Sequence, residues 1–448
     1  RLALWLLSGA TATIAFNACA SKSLQPKNST DVSTLGDDLG RPFRPIASPI
    51  PLAYDTLSPA EQIAAYERYT VADELILPEG YEYEVLASWG DPLGNSRVGY
   101  NNDYLGFTVD PTRADRAYLG INFEYISSTT WMATYNEVIS KTTETLLPFN
   151  EVRQALSKDI KGVKGAIDAF ALQDNDPLKV KIKQICREAM IDQGFGVMAL
   201  KRDDRGRWQR DAEGLGKTVD RRITGISGID EGHYAKTTGP AIAVFTKTRG
   251  EGYLDSLGDR AIGTFANCAG GTTPWGTFLS AEENFQRHVP EPVKRDGTSE
   301  PPSTLPFDLS DDDIGGFGNV FGLAGNKYGW IVEIDPTNPQ DYGTKHTWLG
   351  RYRHEAVGVR VVSGEPIAFY SGCDRRGGHV YKFVSQGTVR DPADKANSQL
   401  LAEGMLYVAK FKADGTGQWL ALHPAATVNP DRPSQVISNT VILHDAVG

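Results

Sequence analysis

The chain has 448 residues, with 46 Gly, 25 Pro and 56 acidic against 46 basic residues, a formal net charge of −10. That balance argues against nucleic acid or an anionic lipid surface as the main partner, while leaving room for a local cationic site that draws in an anionic substrate. The length suits one large β domain or two smaller ones, and the Gly and Pro content suits short strands joined by tight turns.

The chain opens at Arg1 and runs through Leu2-Ala3-Leu4-Trp5-Leu6-Leu7 to Phe16-Asn17-Ala18-Cys19. This apolar run is short for a membrane span and ends in small residues, the pattern of an export signal over residues 1–19. Ala18 before Cys19 fits a lipoprotein leader, whereas Phe16 and Asn17 do not. The expectation is therefore export to the periplasm or cell surface, either lipid-anchored on Cys19 or simply secreted. Arg1 is either the second arginine of a twin-arginine signal, which would carry the protein out already folded, or the single basic residue of an ordinary leader. Residues 20–57 are rich in Ser, Thr, Pro and Asp without periodicity and read as a tether. Ser58-Pro59-Ala60-Glu61 is a capping box with Pro at the first helical position, predicting a short helix to about Tyr66; tether and helix together occupy 20–72.

From residue 73 onward β-formers dominate, with strands predicted at Tyr81–Leu86, Phe107–Val109 and Arg116–Asn122. A strand, an Asp-centred turn and a second aromatic strand recur at Val109-Asp110-Pro111 to Tyr118, Arg202-Asp203-Asp204 to Trp208, Ile334-Asp335-Pro336 to Trp348, and Phe411-Lys412-Ala413-Asp414 to Trp419. Hairpins recurring at irregular distances favour the blades of a β-propeller over a sandwich, so the expected fold class is all-β. Two segments interrupt the pattern. Residues 131–193 carry period-3.6 apolar positions at Thr134–Lys141, Val152–Phe170 and Pro177–Ile191, predicting helices inserted in a blade loop. Residues 290–318 are rich in Pro, Gly and acid, predicting an exposed loop; Asp311-Asp312-Asp313 lack the spaced donors of a calcium loop and read as a solvated turn.

Apart from Cys19 the chain has Cys186, Cys268 and Cys373, an odd number that implies no disulfide framework. Cys186 falls on the apolar helical face of Leu178, Ile182, Ile185 and Ala189, a packing position. Cys268 opens the stretch around which the chain is organised, Asn267-Cys268-Ala269-Gly270-Gly271-Thr272-Thr273-Pro274-Trp275-Gly276-Thr277 to Phe285. Its glycines permit close backbone approach, and Pro274 and Trp275 stiffen the corner between them. Thr277–Ser280 reads as a short strand, so Glu282 and Glu283 leave its end on opposite sides and one can face inward. A buried carboxylate or thiolate needs a compensating partner, which a cation supplies. The alternative is that Cys268 is a small buried hydrophobe and the two glutamates a solvated strand end.

Asn-Cys-Ala-Gly-Gly at 267–271, Thr-Pro-Trp-Gly-Thr at 273–277 and Glu-Glu-Asn at 282–284 resemble the PhoX-type alkaline phosphatases. The resemblance continues at Tyr100–Tyr104, Asn122–Tyr125, Arg221–Thr224, Tyr328–Pro336, Gly350–Glu355, Tyr370–Asp374 and Glu403–Phe411. It implies a six-bladed β-propeller over 73–448, a mixed cluster of Fe3+ and Ca2+, and hydrolysis of phosphate-ester small molecules outside the cytoplasm, by a monomer. It also makes Asn102, Asp103, Glu124, Glu282, Glu283, Glu355 and Asp374 candidate oxygen ligands at one end of a propeller channel, with Cys268 as the soft ligand that biases one position toward iron. Taken singly, Asp103 reads as a turn cap, Glu355 as a partner of Arg351 or Arg353, and Asp374 as a turn acid. Three features depart from the family pattern. Cys373 stands where a second acid is usual, Phe123 where a His is expected, and the chain stops at His444-Asp445-Ala446-Val447-Gly448 ahead of a further acidic stretch, so a truncated C-terminus is expected.

Lewis-acid cations stabilise charge on phosphoryl oxygens and activate water, so such a site needs no protein nucleophile. With seven His in the chain, a zinc-dominated site is disfavoured. Arg375 with Arg376, and Arg221 with Arg222, either clamp the non-bridging oxygens of the substrate or serve as salt-bridge partners in an acidic protein. Two rivals stand beside this reading: a non-catalytic surface propeller whose acids hold a structural calcium and which binds a partner, and a calcium-dependent lactonase or esterase on the same architecture.

Overall fold

The computed structural model of the chain describes residues 57–68, 74–139, 146–157 and 165–422. The expected leader with Cys19, the tether up to residue 56, parts of two predicted helices (140–141 and 158–164) and the C-terminal residues 423–448 lie outside the described residues. The chain divides into two units, 1–85 and 86–448. In the first, helix Pro59–Tyr66 starts as its capping box requires, with Ser58 Oγ accepting from Glu61 N at 3.3 Å and Glu61 Oε2 accepting from Ser58 N at 2.8 Å. The strand predicted at Tyr81–Leu86 is not formed. Tyr83 and Val85 are exposed and the segment joins no ladder; β-formers without a neighbouring strand to pack on do not make a strand.

The second unit is mostly β, with helices, rather than all-β. All four Asp-centred hairpins form, pairing Asn102–Asp110 with Arg113–Phe123, Gly194–Arg202 with Trp208–Arg210, Ile331–Ile334 with Thr344–His346, and Gly404–Phe411 with Gly417–Ala421. The aspartates cap their own turns, which is why the motif recurs. Asp110, Asp335 and Asp414 each accept from the N–H and hydroxyl of a Thr two residues on, and Asp203 accepts from the N–H groups of Arg205 and Arg207.

The strands gather into a six-stranded sheet, two five-stranded sheets, and small sheets of three and two strands; none closes on itself among the described residues. The six-stranded sheet includes one parallel pair, Thr344–His346 with Ala235–Thr238, and so is not a simple meander. It lies between the other two large sheets, as its alternation dictates. Phe278, Val332 and Ile334 pack with Tyr118, Phe195 and Val197 of the first sheet, while Leu279, Ala281 and Ile331 pack with Ile367, Phe369, Phe383 and Leu406 of the last. Gly106 and Gly120, paired in register, let the Phe278 ring lie against bare backbone, since a Cβ on either would come within 2.7 Å of it.

Helices Ser128–Val138, Phe149–Leu156 and Pro177–Ile191 bury Trp131, Tyr135, Ile182, Ile185 and Cys186 against Phe265, Phe285, Phe317 and Tyr328. The helix predicted to reach Phe170 ends at Leu156, and Ala166–Ile167 instead pairs with Phe307–Asp308. That pairing overturns the exposed loop expected at 290–318. Thr298, Ser299, Phe307, Leu309, Ile314 and Phe317 are buried, because a few apolar residues spaced along a Pro- and Gly-rich segment suffice to anchor it. The Asp311–Asp313 turn is exposed, as predicted. No helix among the described residues is long and apolar enough to cross a membrane.

A buried polar network ties the first sheet to the six-stranded one. Asn122 donates to the carbonyls of Cys268 and Ala269 and accepts from Ser280 Oγ at 2.7 Å, and Ser280 Oγ accepts from Asn267 Nδ2 at 2.8 Å. Thr264 links Asn267 to Glu282, whose Oε1 takes Lys345 Nζ at 2.6 Å and whose Oε2 takes the N–H groups of Gly329 and Trp330 at 2.8 and 3.1 Å. Both side chains of the Glu282–Lys345 pair are 0% exposed. Lys345→Met leaves Glu282 charged and unpaired in the interior, so denaturant unfolding is expected to show a loss of roughly 3–5 kcal/mol, with part recovered when Glu282→Gln is added.

Candidate metal centre

Two hairpins present candidate ligands in the same local geometry. Asn101 and Ala266 are both non-glycine residues in the left-handed region, with φ 54° and 56°. Each is followed by an Asn at the first ladder position, Asn102 opposite Phe123 and Asn267 opposite Glu282, and then by a candidate ligand, Asp103 or Cys268. In both, the register shifts immediately afterwards, and the N–H of the acid on the partner strand reaches back to the left-handed residue: Glu124 N to Asn101 O at 3.1 Å, Glu283 N to Ala266 O at 2.8 Å. Such a backbone costs about 1–2 kcal/mol per non-glycine residue and is held only by its surroundings, and a bulge re-aims the side chains beside it.

A third strand pair completes the set. His354 bridges Cys373, Glu355 N donates to Gly372 O at 3.1 Å, Asp374 N to Arg353 O at 3.0 Å, and His354 N to Glu282 O at 3.3 Å. Strand alternation then separates two faces. On one, His354 stacks with Tyr352 at 3.7 Å and Tyr352 with Tyr381 at 4.1 Å, and Cys373 opposes the ionisation of both tyrosines. His354 Nε2 donates to Gly350 O, Nδ1 accepts from Ser371 Oγ, and burial holds its pKa down to about 3. Arg353, Glu355 and Asp374 take the other face.

Asp103, Glu124 and Cys268 present ligand atoms within 4.8 Å of one another, as do Glu283, Glu355 and Asp374. The two triads feel each other. Glu283 is pushed up to about 8 by burial and then by Glu355, Glu124 and Asp374. Burial and Asp103 push Glu124 up to about 7, while burial, Asp374 and Asp103 do the same to Glu355. Burial together with Glu124, Asp103, Glu283 and Glu355 raises the Cys268 thiol. Like charges this crowded cannot all ionise unless cations lie among them, and a set of hard oxygens with one sulfur suits cations that accept both. The residues fit a metal cluster.

Three expected site residues lie elsewhere. Glu282 turns away from the triads to Lys345 and the backbone of Gly329 and Trp330, so its lone pairs serve the fold. Arg221 donates to the carbonyls of Val219, Asp335, Pro336 and Asp341. Arg222 is wholly buried, donates to the carbonyls of Arg97, Ile191, Phe195 and Gln193, and is lowered to about 9 by that burial. Neither arginine is a phosphate clamp or a salt-bridge partner; both spend their donors on strand and loop carbonyls. Arg375 and Arg376 are exposed in the loop after Asp374, and Asn102 is exposed beside Asp103. The sequence reading passed over Asn101, whose Nδ2 donates to Glu124 Oε2 at 3.3 Å, and over Arg353 as a site residue. The signal for Arg353 was the period-2 spacing in Tyr352-Arg353-His354-Glu355, which puts it on the face of Glu355.

The sequence matches the family described as alkaline phosphatase PhoX over residues 61–448. No curated protein sequence matches the chain. Among solved structures it is similar to Pseudomonas fluorescens PhoX in complex with vanadate, a transition state analogue, at 27% identity and a TM-score of 0.56; the match covers 83% of this chain and 60% of that one. The chain thus spans less than two thirds of that relative's length.

In the metal-free protein the raised glutamates hold protons that the unfolded chain, with carboxyls near 4.5, has released. Their contribution to stability is therefore full below about pH 4.5 and lost as pH rises through 7 to 8. Thermal melts of chelator-treated protein are expected to show Tm falling across that window, and added calcium to flatten the dependence.

Proposed function

The chain belongs to the PhoX alkaline phosphatase family, and on that premise we propose that it hydrolyses phosphate esters at the acidic pit. The observation that carries this reading is the gathering of Asp103, Glu124 and Cys268 in one triad and of Glu283, Glu355 and Asp374 in a second, close enough that Glu124 helps to raise Glu283. These residues hold Ca2+ and Fe3+ in our reading, with Asn102 as a further oxygen donor and the Cys268 sulfur favouring iron. Cations bound there supply Lewis-acid stabilisation of phosphoryl charge and an activated water.

The chain's own groups bind and orient the ester. Arg353, on the face of Glu355, and Arg375 and Arg376, on the exposed loop after Asp374, take the non-bridging phosphoryl oxygens. Asn101 steadies Glu124, and the Asn122 network fixes the backbone of Cys268. His354 stays neutral behind the pit with both ring nitrogens engaged, and carries no proton to the substrate. We further read the large sheets as blades of a six-bladed β-propeller and the protein as an exported monomer of the periplasm or cell surface. The leader-like residues 1–19 support export, by the general or twin-arginine route, with Cys19 the place for a lipid.

The test is hydrolysis of p-nitrophenyl phosphate by the full chain loaded with calcium and ferric iron. Activity is expected to vanish with chelator and to fall by about 100-fold or more in Cys268→Ala and Glu283→Gln, since losing a ligand should exceed the loss seen for outer-shell changes. A fully loaded protein that leaves this ester intact while opening lactones or carboxylic esters would sink the reading.

A further inference from the structure

Arg353 is paired with an acid that belongs to neither triad. Its Nη2 donates to Glu291 Oε2 at 2.7 Å, with the two side chains 23% and 26% exposed. Glu291 itself sits on a stiff mount. It lies between Pro290 and Pro292, whose rings fix φ, and its carbonyl accepts Arg351 Nη1 at 2.8 Å. Arg351 is partly buried, donates also to Gly325 O and Tyr328 O, and lies over the Phe285 ring at 4.9 Å. Arg351 and Arg353, two residues apart, thus both grip Glu291, one by its backbone and one by its carboxylate.

Glu291 engages only Nη2 of the Arg353 guanidinium. Its Nε is buried and has no hydrogen-bond partner. Arg353 also stands beside the second triad, since Asp374 N donates to Arg353 O at 3.0 Å and Glu355 lies two residues on. A free arginine must be ordered when an oxyanion arrives, whereas one already placed need not be.

We propose that Glu291 is a positioning residue that fixes Arg353 at the rim of the pit so that an incoming phosphoryl group meets it pre-oriented. The inference rests on the phosphatase reading above. An interaction made equally with bound ester and transition state sets KM and leaves kcat, and a double-mutant cycle separates action through Arg353 from general damage.

The experiment is steady-state hydrolysis of p-nitrophenyl phosphate, with inhibition by inorganic phosphate, using the full metal-loaded chain. Glu291→Ala is expected to raise KM and the phosphate inhibition constant about 5- to 10-fold with kcat within about twofold, as a loss of pre-ordering predicts. Glu291→Gln, which keeps an acceptor for Nη2, should stay within about twofold of the parent. In an Arg353→Ala background, adding Glu291→Ala should change neither constant. The inference is overturned if Glu291→Ala binds phosphate as tightly as the parent or tighter, or if its effect persists undiminished without Arg353. Should the parent bind phosphate while Glu291→Ala matches it, the inference fails alone. Should the parent neither hydrolyse the ester nor bind phosphate by calorimetry, the phosphatase reading and the inference fall together.

Discussion

The structure depends on how five carboxylates and a thiol can share one pit. Burial and mutual repulsion push Glu124, Glu283 and Glu355 to about 7 or 8, far above where an isolated glutamate titrates. Arg353 tempers Glu283 but is itself paired with the Glu291 carboxylate. The relief comes from protons that the glutamates retain or from cations bound among them, and the surrounding structure keeps the donors where cations can reach them.

Rigidity is supplied one layer below. The Asn122–Ser280–Asn267–Thr264–Glu282–Lys345 chain crosses from the first sheet into the second without reaching water, so the strand ends bearing Asp103, Glu124, Cys268 and Glu283 cannot drift apart independently. The middle sheet contributes by packing on both faces. Phe278 seals one side over Gly106 and Gly120, and Leu279 the other against Ile331 and Phe369. On the Leu279 side the buried Glu333 faces the cost of losing water, but hydrogen bonds from His346, Ser398 and Thr277 hold it down to about 2; its Oε1 also anchors the indole of Trp275 at the Pro-Trp-Gly corner.

Much of this was legible from the residues. The Asp-centred turns announced their hairpins because an Asp that accepts from the N–H groups just ahead of it, and at Asp110, Asp335 and Asp414 from a Thr hydroxyl as well, makes its own local cap, independent of tertiary context. The pit was legible as a joint pattern rather than residue by residue. Choosing between Glu282 and Glu283 was not possible, because adjacent acids at a strand end take opposite faces and the chain does not say which face holds a lysine 63 positions away. Arg221 and Arg222 misled for a related reason: a guanidinium that satisfies four backbone carbonyls looks, in one dimension, like one waiting for an anion. The 290–318 segment misled by composition, since four of its few apolar residues, Phe307, Leu309, Ile314 and Phe317, pack into the core with the helices.

The paired hairpins at Asn101 and Ala266 carry a consequence for how metal preference is written into this protein. The same backbone device, a left-handed residue, an Asn and a bulge, displays an oxygen in one copy and a sulfur in the other. Donor chemistry is therefore uncoupled from the scaffold that aims it. Within the Asp103–Glu124–Cys268 triad a hard donor can be exchanged for a soft one, or the reverse, by altering a single side chain, without rebuilding the backbone that aims it.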